Sequence, residues 1–220
     1  MARPASAVAI CNLSLDLLKE SAITIITAPV TKTEALCARW YDLMRQAILE
    51  AHNWNFALTS ADIARGGDPA DTFASSDYTD YYALPNNYLK LRAIADPTVP
   101  LGRRTFEIQG RSLLYSYDES VTLPIWYTKD ETDVAKYPAL FIKLFSEELA
   151  LVLGKKITAR PSILKDIKED RNESRRLARA IDGQIRPPKR YESSRIVNAG
   201  LNVASAQTVA GDYEFDFDYD

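Results

Sequence analysis

The sequence contains few residues of the types that carry out catalysis. His52 is its only histidine, so a catalytic triad or an imidazole general base has to be built around it. This residue lies at the end of a segment with helical periodicity, where an imidazole can hydrogen-bond the last carbonyls of the helix. We predict a capping role for His52, and a hydrolase centred on it is the alternative.

Motifs for metal, phosphate and cofactor chemistry are missing from the sequence. Zinc needs three or four His or Cys ligands, and the chain offers His52, Cys11 and Cys37, which are far apart. Both cysteines lie in helical patterns, which favours buried thiols over a disulfide or metal pair. No GxxxxGK(S/T), GxGxxG or HExxH motif occurs, and Gly66-Gly67 is typical of a turn. We therefore predict no catalytic, metal or cofactor site, and no enzyme.

Basic residues are concentrated in one part of the chain. Residues 155–195 carry 13 basic and 6 acidic side chains, although the net charge of the whole chain is −3. Arg171, Arg175, Arg176 and Arg179 fall in one predicted helix and are candidate partner-binding residues. A solvated surface helix and a helix packed between subunits both fit this pattern. Such basic density can also neutralise phosphates, so a DNA-binding protein that uses the Arg-rich helix 161–182 is the alternative function.

Acidic and aromatic residues alternate through the last nine positions, DYEFDFDYD. In an extended segment, successive side chains point to opposite faces, so the acids share one face and the rings share the other. The four aromatic residues are Tyr213, Phe215, Phe217 and Tyr219, and they are candidate partner-binding residues. The pattern predicts a strand or an extended arm lying in a groove. A disordered acidic terminus is the alternative.

The composition is that of an ordinary globular protein. The chain has 220 residues, of which 46% are hydrophobic and 26% charged, enough for one domain with a core or two small ones. No apolar run approaches the roughly 20 residues that a membrane-spanning helix needs. Asn12, Ser14 and Asp16 interrupt the apolar stretch that a signal peptide requires. The sequence therefore predicts an intracellular protein that makes no membrane contact.

Hydrophobic periodicity predicts four helices, at about residues 8–20, 33–52, 138–157 and 161–182. Thr33 is the expected N-cap of the second helix, and Pro161 suits the first turn of the fourth. The fourth helix has a thin apolar stripe, and we expect weak support from the pairs Lys165/Glu169 and Glu173/Arg176. Gly183 and the two prolines that follow predict its end.

Short β-rich runs lie between the second and third helices, at about residues 54–129. They are WNFALTSADIA, YYALP, YLKLRAIA, FEIQG, SLLYSY and TLPIWYT. A hairpin turn is predicted at Gly110-Arg111, and residues 64–80 form a long loop that is a candidate contact finger. We predict an α+β fold, with a helical bundle and a small, mostly antiparallel β-domain inserted between the second and third helices. This unit covers residues 1–183, and an extended C-terminal arm covers residues 184–220.

The order and spacing of these segments resemble the head-to-tail adaptor family of short-tailed bacteriophages, the tail tubular protein A type. The helical segments that carry the resemblance are ICNLSLDLL, ALCARWYDLMRQAILEAHNWNFA and YPALFIKLFSEELALVLGKKIT. Between them lie YYALPNNYLKL, FEIQGRSLLY and LPIWYT. The resemblance covers about residues 8–180, and the chain after about residue 195 matches no part of it.

The resemblance implies that the protein is a structural component of the virion. It implies a homo-oligomeric ring, typically of twelve copies, that joins the portal protein of the capsid to a tail nozzle or tail tube protein. Genomic DNA then passes through the lumen without sequence-specific binding. It also implies that the protein has no catalytic centre and is located at the head–tail junction, with host cytoplasm as its location during assembly.

Overall fold

The chain places two helices before its β-strands and two helices after them. The computed structural model describes residues 6–67, 78–96, 105–117, 122–157 and 160–185. The helices are α1 (Ala7–Leu17), α2 (Lys32–Ala51), α3 (Ala139–Ile157) and α4 (Pro161–Ile185). The strands are β1 (Leu58–Gly67), β2 (Tyr81–Ala83), β3 (Tyr88–Ile94), β4 (Glu107–Gln109), β5 (Ser112–Leu114) and β6 (Thr122–Lys129). Two 3₁₀ turns, Asn55–Ala57 and Val134–Lys136, adjoin this block of strands. The fold is therefore mixed α+β.

Helix α2 begins one residue earlier than predicted, and its N-cap is Thr31, not Thr33. The Thr31 hydroxyl accepts a hydrogen bond from the Glu34 amide at 3.2 Å, and the Glu34 carboxylate accepts one from the Thr31 amide at 2.9 Å. This reciprocal pair is a capping box, which needs Thr and Glu three positions apart. Thr33 cannot form it because its neighbour at that spacing is Leu36.

Two helix ends differ from the prediction by three residues. Helix α1 stops at Leu17 because Lys19 adopts a left-handed conformation with φ of 60°. The amide of Glu20 then donates to the carbonyl of Leu15 at 3.0 Å, the arrangement of a Schellman motif. Helix α4 continues through Gly183 to Ile185, since a single glycine costs a helix only about 1 kcal/mol.

The six strands form one antiparallel sheet in the order β3-β6-β1-β2-β5-β4. Strand β1 joins its two halves. Leu58 to Ala64 pair with β6, whereas Arg65 and Gly67 pair with β2 after a register shift. Five of the six predicted β-runs thus form the strands expected of them, and the hairpin turn at Gly110-Arg111 is confirmed. Gly110 has φ of 59° at the first central position of that turn, which only glycine adopts easily.

The remaining β-run, WNFALTSADIA, begins as a 3₁₀ turn and becomes a strand only at Leu58. Trp54 accounts for the difference because its ring is buried in the helical core and its Nε1 donates to the Ile48 carbonyl at 2.8 Å. The predicted turn at Gly66-Gly67 is also wrong, since both residues belong to β1. A Cβ on Gly66 would overlap the Tyr81 ring, so a larger residue at this strand position would need that ring to move. The predicted loop 64–80 therefore starts as a strand, and residues 68–77 lie outside the described ones.

One end of the sheet carries three longer connections. Strands β1, β3 and β5 end there and β2, β4 and β6 begin there, as their antiparallel registers require. At the opposite end lie the two-residue hairpin turn, the residues that join β2 to β3, and the connections to α2 and α3. The helices and the three longer connections therefore attach to opposite ends of the sheet.

The buried apolar residues form two clusters. The helical cluster includes Trp54, Phe141 and Phe145 and draws on all four helices, whereas the sheet cluster is built around residues such as Tyr82, Leu113 and Ile125. Partly buried hydrogen bonds connect the two regions. The guanidinium of Arg45 on α2 donates to Asp130 at the end of β6 at 2.8 and 2.9 Å.

The two cysteines are buried and free, as predicted. A hydrogen bond with Cys37, together with burial, raises the pKa of the Cys11 thiol. Both belong to the helical cluster, so their described role is packing between α1 and α2. In the described part of the chain, no helix combines the length with the apolar content that crossing a bilayer would take.

Candidate interaction surface

Helix α4 has one buried side and a wide exposed surface. Its fully buried residues are Ile167, Ser174, Ala178 and Asp182, which recur at helical spacing and face α3 and the 3₁₀ turn after α2. Most of the other side chains on α4 are exposed. The four arginines predicted to bind partners differ in exposure: Arg176 is exposed, and the other three are half-buried.

Two of these arginines make contacts with α3. Arg171 Nη1 donates to Glu148 at 3.2 and 3.3 Å, and Arg175 Nη2 donates to the same carboxylate. Glu148 is 9% exposed, so the two guanidinium groups neutralise a nearly buried acid. Arg171 and Arg175 therefore tie α4 to α3 within the subunit.

The other two arginines face different surroundings. Arg179 Nη2 donates to the carbonyl of Ala51 at 3.2 Å, where a cation stabilises the negative end of the α2 dipole. Arg176 is exposed, and among the described residues no carboxylate lies within ion-pair distance of it. The expected pairs within α4, Lys165/Glu169 and Glu173/Arg176, are likewise not formed in the described part of the chain. Of the four arginines, Arg176 is the one left fully available to a partner.

A cavity lies where α2, α3 and α4 meet. Its volume is about 140 Å³. The lining is mostly apolar, with one acid and two arginines at the α3 and α4 side: Met44, Ala47, Ile48, Ala51, Trp54, Leu144, Glu148, Arg175 and Arg179. Leu43 on the neighbouring turn of α2 is 53% exposed, so apolar surface continues outward from the cavity. The site can therefore receive an apolar side chain between two cationic groups.

Charge is segregated on the two sides of α4. At about 100° per residue, three acids and two exposed apolar residues fall roughly 60–140° to one side of Ala178. This acidic flank consists of Asp166, Asp170, Glu173, Leu177 and Ile181. Five basic residues fall roughly 60–160° to the other side. This basic flank consists of Lys165, Lys168, Arg175, Arg176 and Arg179, and it adjoins the cavity. Leu177 and Ile181 are 43% and 41% exposed.

His52 and Asp182 form a second polar cluster near the end of α4. His52 is the C-cap of α2, but its Nε2 lies 3.2 Å from the Asp182 carboxylate and makes no described bond to a helix carbonyl. Its ring packs edge-on against Trp54, and burial lowers its pKa although the nearby Asp182 carboxylate opposes this shift. Asp182 also accepts from the Asn55 amide at 3.1 Å. The predicted capping role is thus replaced by a link between α2 and α4.

The chemistry available to His52 is limited by these contacts. Its described hydrogen bond goes to a carboxylate, and no hydroxyl or thiol is bonded to the ring within the described residues. A histidine and an acid without a nucleophile lack the first member of a triad. No group of three or more His, Cys, Asp or Glu residues is arranged to bind a metal ion in the described part of the chain.

Sequence reasoning missed Glu148 and Asp182, the acids that hold the arginine-rich helix in place. A signal for Glu148 exists, because Glu147 and Glu148 interrupt the apolar run of α3 and imply cationic partners on another element. The four aromatic residues Tyr213, Phe215, Phe217 and Tyr219, and with them the predicted arm, lie outside the described residues. The sequence has no significant match to any model of a known protein family or to any curated protein.

Proposed function

We propose that this protein is a head-to-tail adaptor subunit of a short-tailed bacteriophage. Copies of it form a ring between the capsid portal and the tail, and the lumen of the ring continues the DNA channel. The observation that carries the proposal is the order of the elements: two helices, a six-stranded antiparallel sheet and two further helices. This is the order that the resemblance to the adaptor family implies, with helix ends within three residues of those expected.

The proposed role is mechanical and requires no bond chemistry. The chain has one histidine, and its described contacts link two helices. The charged surfaces of α4 and the cavity beside it are suited to packing against other protein chains. DNA passes through the lumen without sequence-specific binding. Its phosphates are held weakly, because two of the four arginines that could contact them are engaged with Glu148.

The C-terminal arm, which follows the observed end of α4 and so covers residues 186–220, is the proposed contact with the portal. In an extended conformation, Tyr213, Phe215, Phe217 and Tyr219 fill pockets on one side and the alternating acids face basic residues on the other. Pairing of such a segment with an exposed sheet edge is a common mode of peptide recognition. Strand β1 ends and strand β2 begins at the end of the sheet opposite the helices, and we assign contact with a neighbouring layer to that end.

Reconstitution with purified portal protein tests the proposal. We expect electron microscopy to show the chain as a ring on the tail-facing side of the portal. Deleting Tyr213–Asp220 should leave the subunit folded and reduce the occupancy of portal sites. A matched variant that replaces the five acids of this segment by Asn or Gln keeps the four aromatic side chains. It separates the contribution of charge from that of the aromatic side chains. Wild-type occupancy by the truncated chain would contradict the role of the arm, and absence of any ring would contradict the function.

The alternative, DNA binding by the helix 161–182, makes a different prediction. It requires tight binding by the free subunit that weakens steeply as salt rises, because phosphate contacts release counterions. We expect weak binding instead, since Arg171 and Arg175 are paired with Glu148 and six acids interleave with the basic residues. Gel-shift titration of the purified chain at two salt concentrations distinguishes the two functions.

A further inference from the structure

We infer that α4 is a contact between copies of this chain, in which the acidic flank of one copy packs against the basic flank of the next. The inference rests on the proposed function and names the surface through which the ring closes. A ring needs each subunit to present two different, complementary faces, because every contact joins one face of a copy to the other face of its neighbour. Helix α4 presents two such faces in one element.

The charges on the two flanks are complementary and available. Asp166, Asp170 and Glu173 on the acidic flank are exposed, as are Lys165 and Lys168 on the basic flank. None of these five side chains takes part in an ion pair within the described part of the chain. Each flank therefore carries charge that its own subunit leaves without a counter-ion, and the neighbour supplies the opposite sign.

The apolar parts of the two flanks are complementary as well. Leu177 and Ile181 stand exposed on the acidic flank, and the cavity of about 140 Å³ opens beside Arg175 and Arg179 on the basic flank. Exposed ion pairs alone contribute little to the strength of a contact. We therefore assign the strength of the contact to Leu177 and Ile181, and its direction to the charges.

The positions along the helix agree with a rotational arrangement. A rotation about an axis parallel to α4 leaves every residue at its own height along the helix. Five of the eight charged residues of the two flanks lie in the first half of α4, up to Glu173. The other three are Arg175, Arg176 and Arg179, which lie in the second half. The exposed apolar pair, Leu177 and Ile181, and the cavity occupy the second half. Side-by-side copies at equal height thus bring acid to base and apolar to apolar, whereas a parallel two-fold contact brings like charges together.

Charge reversal on each flank tests the inference in the full chain. The acidic-flank variant carries Asp166→Lys, Asp170→Lys and Glu173→Lys. The basic-flank variant carries Lys165→Glu, Lys168→Glu and Arg176→Glu, which are exposed residues outside the contacts with Glu148. Sedimentation velocity over a range of concentrations measures self-association. We expect the wild type to associate. Each variant alone should associate about tenfold more weakly. An equimolar mixture of the two variants should recover association.

Two controls make the result specific. Glu169→Lys changes charge on the side of α4 opposite Ala178, and it should associate as the wild type does. Circular dichroism and thermal unfolding establish that the variants fold. A wild type that stays monomeric throughout overturns the inference, as does a variant that associates normally or a mixture that recovers nothing. Loss in the basic-flank variant alone also overturns it, because an acidic segment elsewhere is then the partner.

The outcome is separable from the test of function. A chain that associates through these flanks but forms no ring on the portal retains the contact and loses the proposed function. A chain that forms the ring with one flank alone reversed retains the function and loses the contact.

Discussion

Helices α3 and α4 pack side by side, yet they distribute their polar residues in opposite ways. Eleven of the 19 residues of α3 are buried, including the acids Glu147 and Glu148. Only four of the 25 residues of α4 are buried, and one of these is Asp182. Helix α3 is thus surrounded by the rest of the subunit, whereas α4 is covered on one side.

This difference in burial separates a helix that sets stability from one that is free to interact. A helix that is apolar on most of its circumference must be enclosed, so changes to it are felt by the fold. A helix with a thin buried stripe tolerates changes on the remaining surface, and that surface can serve contacts with other chains. Phe141 on α3 and Leu177 on α4 represent the two extremes, at 0% and 43% exposure. The four predictions below test this contrast.

The largest effect is expected at Phe141. Its ring packs edge-on against Trp54, Phe56 and Tyr137 at centroid distances of 5.1, 4.8 and 5.0 Å. Phe141→Ala removes these contacts and leaves a cavity, so the free energy of unfolding should fall by about 3–5 kcal/mol. Urea unfolding followed by circular dichroism measures it. A loss below that of Leu177→Ala would overturn the contrast between the helices.

The next effect is expected at Asp182, the buried acid on the packed side of α4. Asp182→Ala leaves the Asn55 amide and His52 without their acceptor, and the free energy of unfolding should fall by about 1.5–3 kcal/mol. The matched control is Asp166→Ala, an exposed acid of the same helix. Equal losses in the two variants would show that the cluster around Asp182 contributes nothing.

A smaller, pH-dependent effect is expected at Glu147, one of the buried acids of α3. Burial raises the pKa of Glu147 although Ser174 donates to it at 3.1 Å. Because the pKa is raised on folding, its stabilising contribution is complete below the ordinary glutamate pKa of about 4.3 and is lost as pH rises through the folded value. Glu147→Gln removes this dependence, so the variant should gain stability relative to the wild type between pH 4 and pH 7. Unfolding curves at several pH values that stay parallel for both proteins would contradict this.

The smallest effect on the fold is expected at Leu177 and Ile181. Replacing both by Ser should change the free energy of unfolding of the monomer by about 0.5 kcal/mol or less, because both side chains are over two-fifths exposed. The same change should weaken self-association in sedimentation experiments. Destabilisation comparable with that of Phe141→Ala would mean that α4 is enclosed after all.

Local signals predicted the elements well. Helical periodicity located all four helices, and alternation with turn residues located the strands β2 to β6 and the turn at Gly110. These features depend on residues a few positions apart, which a sequence displays directly. Even the misplaced cap of α2 has a local explanation, since the spacing of Thr31 and Glu34 identifies the correct start.

Contacts between distant residues could not be predicted in the same way. The burial of Trp54 among α2 and α3 residues determines where β1 begins, and the ring of Tyr81 determines why position 66 is glycine. Arg171 and Arg175 were expected to face a partner, and Glu148, more than 20 positions earlier, engages both. A single sequence shows that a helix is basic, but it does not show which of its cations the fold has already neutralised.

The arrangement of the strands has a consequence for engineering. The pairing of β4 with β5 is set by a two-residue turn, and both ends of the block of strands run into helices at one end of the sheet. Additional residues in any of the three connections at the other end leave these registers unchanged. A peptide tag placed between β1 and β2 should therefore be carried without loss of folding, and it would label the end of the sheet opposite the connections to α2 and α3.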